Sequence, residues 1–174
     1  MSHAIRRLLP LLLLFLSLLP HSAKAADAAQ FFDQSLGDFK AELADGLKEG
    51  KKGMLVMFEA EDCPFCRMMK AQVLNRDDVQ AYFHKHFSIV AVDVLGSVSI
   101  TDFSGKGQTE KEFARNIKLR GTPTFIFYGP GGKEMTRYVG ATRDAKEFME
   151  LGRYVAEGHW QKQGFGQFYP ASRR

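Results

Sequence analysis

Cysteine is scarce in this chain, with two among 174 residues, and so is proline, with six. Two cysteines cannot frame a disulfide-rich scaffold, and a structural zinc site would need His or acidic partners beside them. Low proline, 16 glycines and the lack of a long polar tract exclude collagen, mucin-like stalks and a mainly disordered chain. A clustered basic face is also missing, because Lys and Arg alternate with Asp and Glu throughout, which argues against a nucleic-acid binder. What is present is an ordinary globular composition, 45% hydrophobic and 25% charged, with a sizeable core and one dithiol. One domain is expected.

The N-terminus carries the pattern of a secretory leader. Arg6 and Arg7 precede an apolar stretch over residues 8–19, and Ala23-Lys24-Ala25 supplies a small-residue cleavage site. The stretch is shorter than the roughly 20 residues that span a bilayer and contains Pro10, so cleavage after Ala25 is expected rather than anchoring. The mature chain, 174 residues less 25, then begins near Ala26 and sits outside the cytoplasmic membrane. Losing Arg6, Arg7 and Lys24 from the 24 bases leaves 21 against 20 acids, a nearly neutral protein.

Hydrophobic spacing predicts the elements. Phe32, Leu36, Phe39, Leu43 and Leu47 recur at helical intervals, predicting a first helix from residue 33 until Gly50 stops it. The apolar run 54–58 reads as a buried strand, 63–74 as a helix with Pro64 in its first turn, 79–86 as a second helical piece and 87–94 as a strand. Residues 95–108, rich in Gly, Ser and Asp, read as a loop. Thr109 with Glu112 is a capping box opening a helix to about Ile117. Residues 124–128, the turn 129–132 and 134–139 form a hairpin, and 144–157 a closing helix. The order predicts an α/β fold whose central mixed sheet is flanked by helices on both faces. The tail from Gly158, with Trp160, Phe165, Phe168 and Tyr169, is expected to pack back onto the domain.

The chemistry concentrates in Cys63-Pro64-Phe65-Cys66, where a buried strand turns into a helix. Cys63 at the helix N-terminus is placed to be a thiolate, the nucleophilic form. Cys66, one turn on, can resolve a mixed disulfide formed on Cys63, so the pair can cycle between dithiol and disulfide. A stapling disulfide would close too small a loop to constrain much, and His84, His86 and His159 show no metal-ligand spacing to the thiols. No metal and no cofactor beyond the redox-active Cys63–Cys66 disulfide is expected. A second signal is Arg120-Gly121-Thr122-Pro123-Thr124, where the proline can only begin a strand.

These segments, together with Gly131-Gly-Lys-Glu134 and Val139-Gly140-Ala141, resemble the thioredoxin superfamily in order and spacing across nearly all of the mature chain. Met57-Phe58-Glu59, Cys63-Pro-Phe-Cys-Arg-Met-Met69, Asp102-Phe103-Ser104-Gly105 and Gly164-Phe-Gly-Gln-Phe-Tyr169 look most like the SoxW-type periplasmic thioredoxins. The resemblance implies a thioredoxin fold with a cis bond before Pro123, beside the dithiol, and a Thr122 backbone free to pair with an extended substrate. It further implies a monomer that takes electrons from a membrane thiol carrier of the DsbD/CcdA type and reduces protein disulfides in the periplasm, sulfur-oxidation proteins among them.

Two positions depart from the cytoplasmic thioredoxin pattern: the acid six residues before the first cysteine is Met57, and the adjoining Trp is Asp62. Glu59 is then the nearest candidate proton acceptor, with a solvated strand-end acid as the competing reading. Asp62 would raise the Cys63 pKa, whereas Arg67 and the helix terminus would lower it. Cys-Pro-Phe-Cys is also similar to the glutaredoxin site, but Thr122 and Gly140-Ala141 do not follow that pattern. A periplasmic disulfide oxidase or isomerase is the stronger alternative, although Phe65 stands where the oxidant often places His. A thioredoxin-like binding or chaperone module is the alternative from another class.

Overall fold

A computed structural model describes residues 27–170; the expected leader, 1–25, lies outside them. The chain enters through a short 3-10 turn, Ala28–Phe31, and then forms α1 (Phe39–Lys48), β1 (Gly53–Glu59), α2 (Pro64–Met69), α3 (Asp77–His86) and β2 (Phe87–Asp93). A π-helical turn, Lys70–Leu74, extends α2. There follow β3 (Ser99–Thr101), β4 (Gly107–Thr109), α4 (Glu110–Asn116), β5 (Thr124–Gly129), β6 (Lys133–Val139), α5 (Ala145–Ala156) and the four-residue α6 (Phe165–Phe168).

The main sheet has the order β2-β1-β5-β6, with β1 parallel to β2 and antiparallel to β5, and β5 antiparallel to β6. Successive side chains of a strand face opposite ways, so the six buried positions of β1 feed two cores. Leu55 and Met57 join Phe125 and Phe127 of β5 in a core shared with α2, α3 and α5. Met54, Val56 and Phe58 join Ile126 and Tyr128 in a second one with α1 and α4. A strand buried on both faces must be apolar throughout, which is why β1 reads Met-Leu-Val-Met-Phe without alternation. The result is the α/β arrangement, helices on both faces of a mixed sheet, that the resemblance implies.

Two elements differ from the expectation. The first helix begins at Phe39, not at residue 33: Gly37 lies at φ +83°, and the Asp38 carboxylate caps the helix by accepting from Ala41 N at 2.9 Å. Leu36, counted into the helical stripe, is instead exposed. The expected loop 95–108 contains the β3–β4 hairpin, whose turn is organised by one carboxylate. Asp102 accepts from Ser104 N at 2.8 Å, Ser104 Oγ at 2.6 Å, Lys106 N at 3.0 Å and Gln108 Nε2 at 2.5 Å.

The capping box is present in both directions, with Thr109 and Glu112 exchanging side-chain to backbone hydrogen bonds. The tail packs back as expected through residue 170. Phe165 meets the rings of Tyr138 and Tyr154 edge-on at 5.8 and 5.5 Å, Tyr169 is buried, and Tyr154 Oη donates to the Gln163 carbonyl at 2.6 Å.

Candidate active site

β1 ends at Glu59, and after Ala60-Glu61-Asp62 the chain enters α2 with Cys63 as its N-cap. Cys63 keeps an extended backbone, φ −76° and ψ 107°, while its Sγ accepts from the Cys66 N–H at 3.1 Å. Pro64 fits the first turn because the N–H it lacks would have had no helical partner. Cys63 and Cys66 are joined as a disulfide with Cα atoms 5.3 Å apart. Only 6% of Cys63 and 2% of Cys66 is exposed, whereas Phe65 between them is 60% exposed. The Cys66 N–H is thus aimed at the Cys63 sulfur, and Arg67, one turn on, donates from Nη1 to the Glu61 carbonyl at 3.1 Å.

The second segment arrives at the same end of the sheet. Phe58 pairs with Thr124 as the last pair of the antiparallel ladder, so the 121–123 segment leading into β5 lies at the end of the sheet where β1 runs out toward Cys63. The Thr122–Pro123 bond is cis. Thr124 Oγ1 donates to the Gly121 carbonyl at 2.6 Å, and the Gly140 N–H donates to the Pro123 carbonyl at 2.8 Å, which holds the loop on both flanks. The Thr122 N–H and carbonyl have no hydrogen-bond partner among the described residues, and the residue is only partly buried. Such an unpaired stretch of main chain is what an extended peptide can complete.

Glu59 is not a solvated strand-end acid. Its carboxylate holds Lys70 Nζ at 2.6 and 2.8 Å, and the two side chains line a cleft of about 430 Å³ whose wall includes Cys66, Arg67 and Asp93. Met57, at the position of the missing acid, is fully buried in the core that includes both cysteines. The structure therefore brings Glu59 to the cleft reached by Cys66. Lys70 escaped the sequence reading, though its spacing signals it: four residues after Cys66 on one helix, it shares that residue's face. Among the described residues no group of three or more His, Cys, Asp and Glu side chains could hold a metal ion.

The family profile for a thioredoxin-like domain matches residues 39–156, which spans β1, the dithiol, Pro123 and α5. A thioredoxin-fold protein from Helicobacter pylori superposes with a TM-score of 0.64 at 20% identity, covering 80% of this chain and 85% of that one. A thioredoxin from Thermus thermophilus gives 0.56 at 26% identity over 79% of this chain and 99% of its own. A DsbH oxidoreductase gives 0.52 at 19% identity, covering 80% and 92%. None of the curated protein sequences matches.

Proposed function

We propose that this chain, which belongs to the thioredoxin-like domain family, reduces protein disulfides in the periplasm through Cys63 and Cys66. Its class is thiol–disulfide oxidoreductase. The observation that carries the thiol–disulfide exchange reading is a closable dithiol at a strand-to-helix junction, with a Thr122 main chain left open for a substrate strand. The Cys63 thiolate attacks one sulfur of the substrate disulfide, the substrate S–S bond breaks, and a substrate thiolate leaves. The Cys66 thiol then gives up its proton, with Glu59 as acceptor across the shared cleft, and attacks Cys63 Sγ. The second substrate thiolate departs, so the substrate has gained two electrons as two thiolates and the protein has lost them in closing the Cys63–Cys66 disulfide.

The leader-like residues 1–25 support a periplasmic address, and that address calls for a membrane thiol carrier of the DsbD/CcdA type to return the electrons. The SoxW-like segments support sulfur-oxidation proteins as the substrates. Phe65 offers no donor to hold a thiolate, which favours reduction over the oxidase and isomerase readings. Insulin-disulfide reduction by the wild type, by Cys63→Ala and by Cys66→Ala tests the reading. Wild type is expected to be active and both variants inactive, with Cys66→Ala trapping substrates as mixed disulfides on Cys63. Full activity of Cys63→Ala would overturn it. Glu59→Gln is expected to slow the resolving step and shift its pH profile upward, while the first attack by Cys63 proceeds normally.

A further inference from the structure

Next to Thr122 the surface opens into a groove of about 330 Å³ with an apolar floor of Val94, Ala114 and Leu119. Its rim carries Lys111 and Arg115, which stand four residues apart on α4 and therefore on one face of it. Like charges at that spacing repel, and neither cation forms an ion pair among the described residues. Glu112 is bonded to Thr109 and lines a different groove, on the β3–β4 side, and Glu110 accepts from the Asp93 N–H, so neither acid lines this rim. Arg120, exposed just before Gly121, is likewise without an ion pair among the described residues. On the other flank, beside Cys63, the exposed charged side chains are Glu61, Asp62 and Arg67, so that side carries both signs. Charge of a single sign stands on the α4 side of the approach to the dithiol, at Lys111 and Arg115.

We propose that this groove selects the substrate: a strand that pairs with Thr122 and offers, next to its disulfide cysteine, an apolar side chain for the floor and acidic side chains for Lys111 and Arg115. The inference rests on the reductase reading and deepens it. An apolar floor excludes water from one side chain, and a rim of unpaired cations raises the encounter rate with acidic chains while disfavouring basic ones.

The test uses two synthetic peptide pairs of equal length, each joined by one interchain disulfide with Phe beside the cysteine. One carries two Glu residues beyond the Phe, the other two Lys residues. Single-turnover reduction by the prereduced full-length mature protein is expected to be roughly fivefold faster for the acidic pair at low salt. That preference should fall toward unity near 0.5 M salt, where screening acts within about 3–5 Å. The double variant Lys111→Glu, Arg115→Glu should reverse it. Equal rates at low salt, or a preference indifferent to salt, would overturn the inference and leave the reductase reading standing. Reduction of neither pair would overturn both.

Discussion

Phe165 is the hub of the C-terminal tail, and truncating it measures how much of the fold that tail secures. Its mostly buried ring packs against the main core and lies within 5.5–6.4 Å, centroid to centroid, of Tyr138, Tyr154, Phe168 and Tyr169. A fully buried Phe→Ala change costs about 3–5 kcal/mol, so the mostly buried Phe165 accounts for about 2.5 kcal/mol. Phe165→Ala is therefore expected to destabilise the fold by about 2.5 kcal/mol. For a domain of this size that lowers the melting temperature by about 5–10 °C in a circular dichroism melt. Phe65→Ala, which removes a 60% exposed ring, should shift it by less than about 2 °C. Truncation from Gly158 onward also strips Tyr154 Oη of the Gln163 carbonyl, and should cost more than the point change. An unchanged melting temperature in Phe165→Ala would refute the packing argument. Unchanged stability with lost reduction of a protein substrate would make the tail a docking element.

Limiting alkylation of the reduced protein near neutral pH should label Cys63 before Cys66, because Cys63 has the backbone donor at its sulfur and the greater exposure; first labelling of Cys66 would reverse the assigned roles. Asp102→Ala should cost about 2 kcal/mol at neutral pH, since it removes four hydrogen bonds to one carboxylate. Burial pushes the Asp102 pKa up, but bonds from Ser104 and Lys106 outweigh it and hold the carboxyl below its usual range. A depressed carboxyl stabilises the fold above its unfolded value and loses that contribution as pH falls through the folded one. The stability gap to Asp102→Ala should then narrow below about pH 4, and a gap indifferent to acid would refute this. Lys118, the only non-glycine residue at positive φ among the described residues, sits at +55° after α4; Lys118→Gly should raise stability by about 0.5–1 kcal/mol, measured by urea titration.

The parts of the molecule that could be read from the chain are those whose signal is local. The unbroken apolar run of β1 announces two-sided burial, Cys63 and Cys66 announce their own spacing, and the Thr109–Glu112 cap needs only four residues. What escaped depends on residues brought together by folding. Phe32 and Leu36 continue the helical period of α1, yet a backbone that must turn left-handed at Gly37 separates them from it. The strands β3 and β4 are three residues each, too short to show alternation, and are organised by Asp102 rather than by apolar side chains. Glu59 could be named from its distance to Cys63, but its ion pair with Lys70 joins a strand end to a helix face. The groove of Val94, Lys111, Arg115, Leu119 and Thr122 draws on the turn after β2, on α4 and on the loop before β5, and no window of sequence contains it.

The central claim is that the Cys63–Cys66 pair works as a reductant, and its equilibrium with glutathione measures that directly. Phe65 cannot donate a hydrogen bond to the Cys63 thiolate, so the reduced form lacks the extra stabilisation that makes a disulfide strongly oxidising. The account predicts a reduction potential near that of thioredoxin, about −270 mV. A value above about −180 mV, the range of protein disulfide isomerase and of the oxidant DsbA beyond it, would contradict the account.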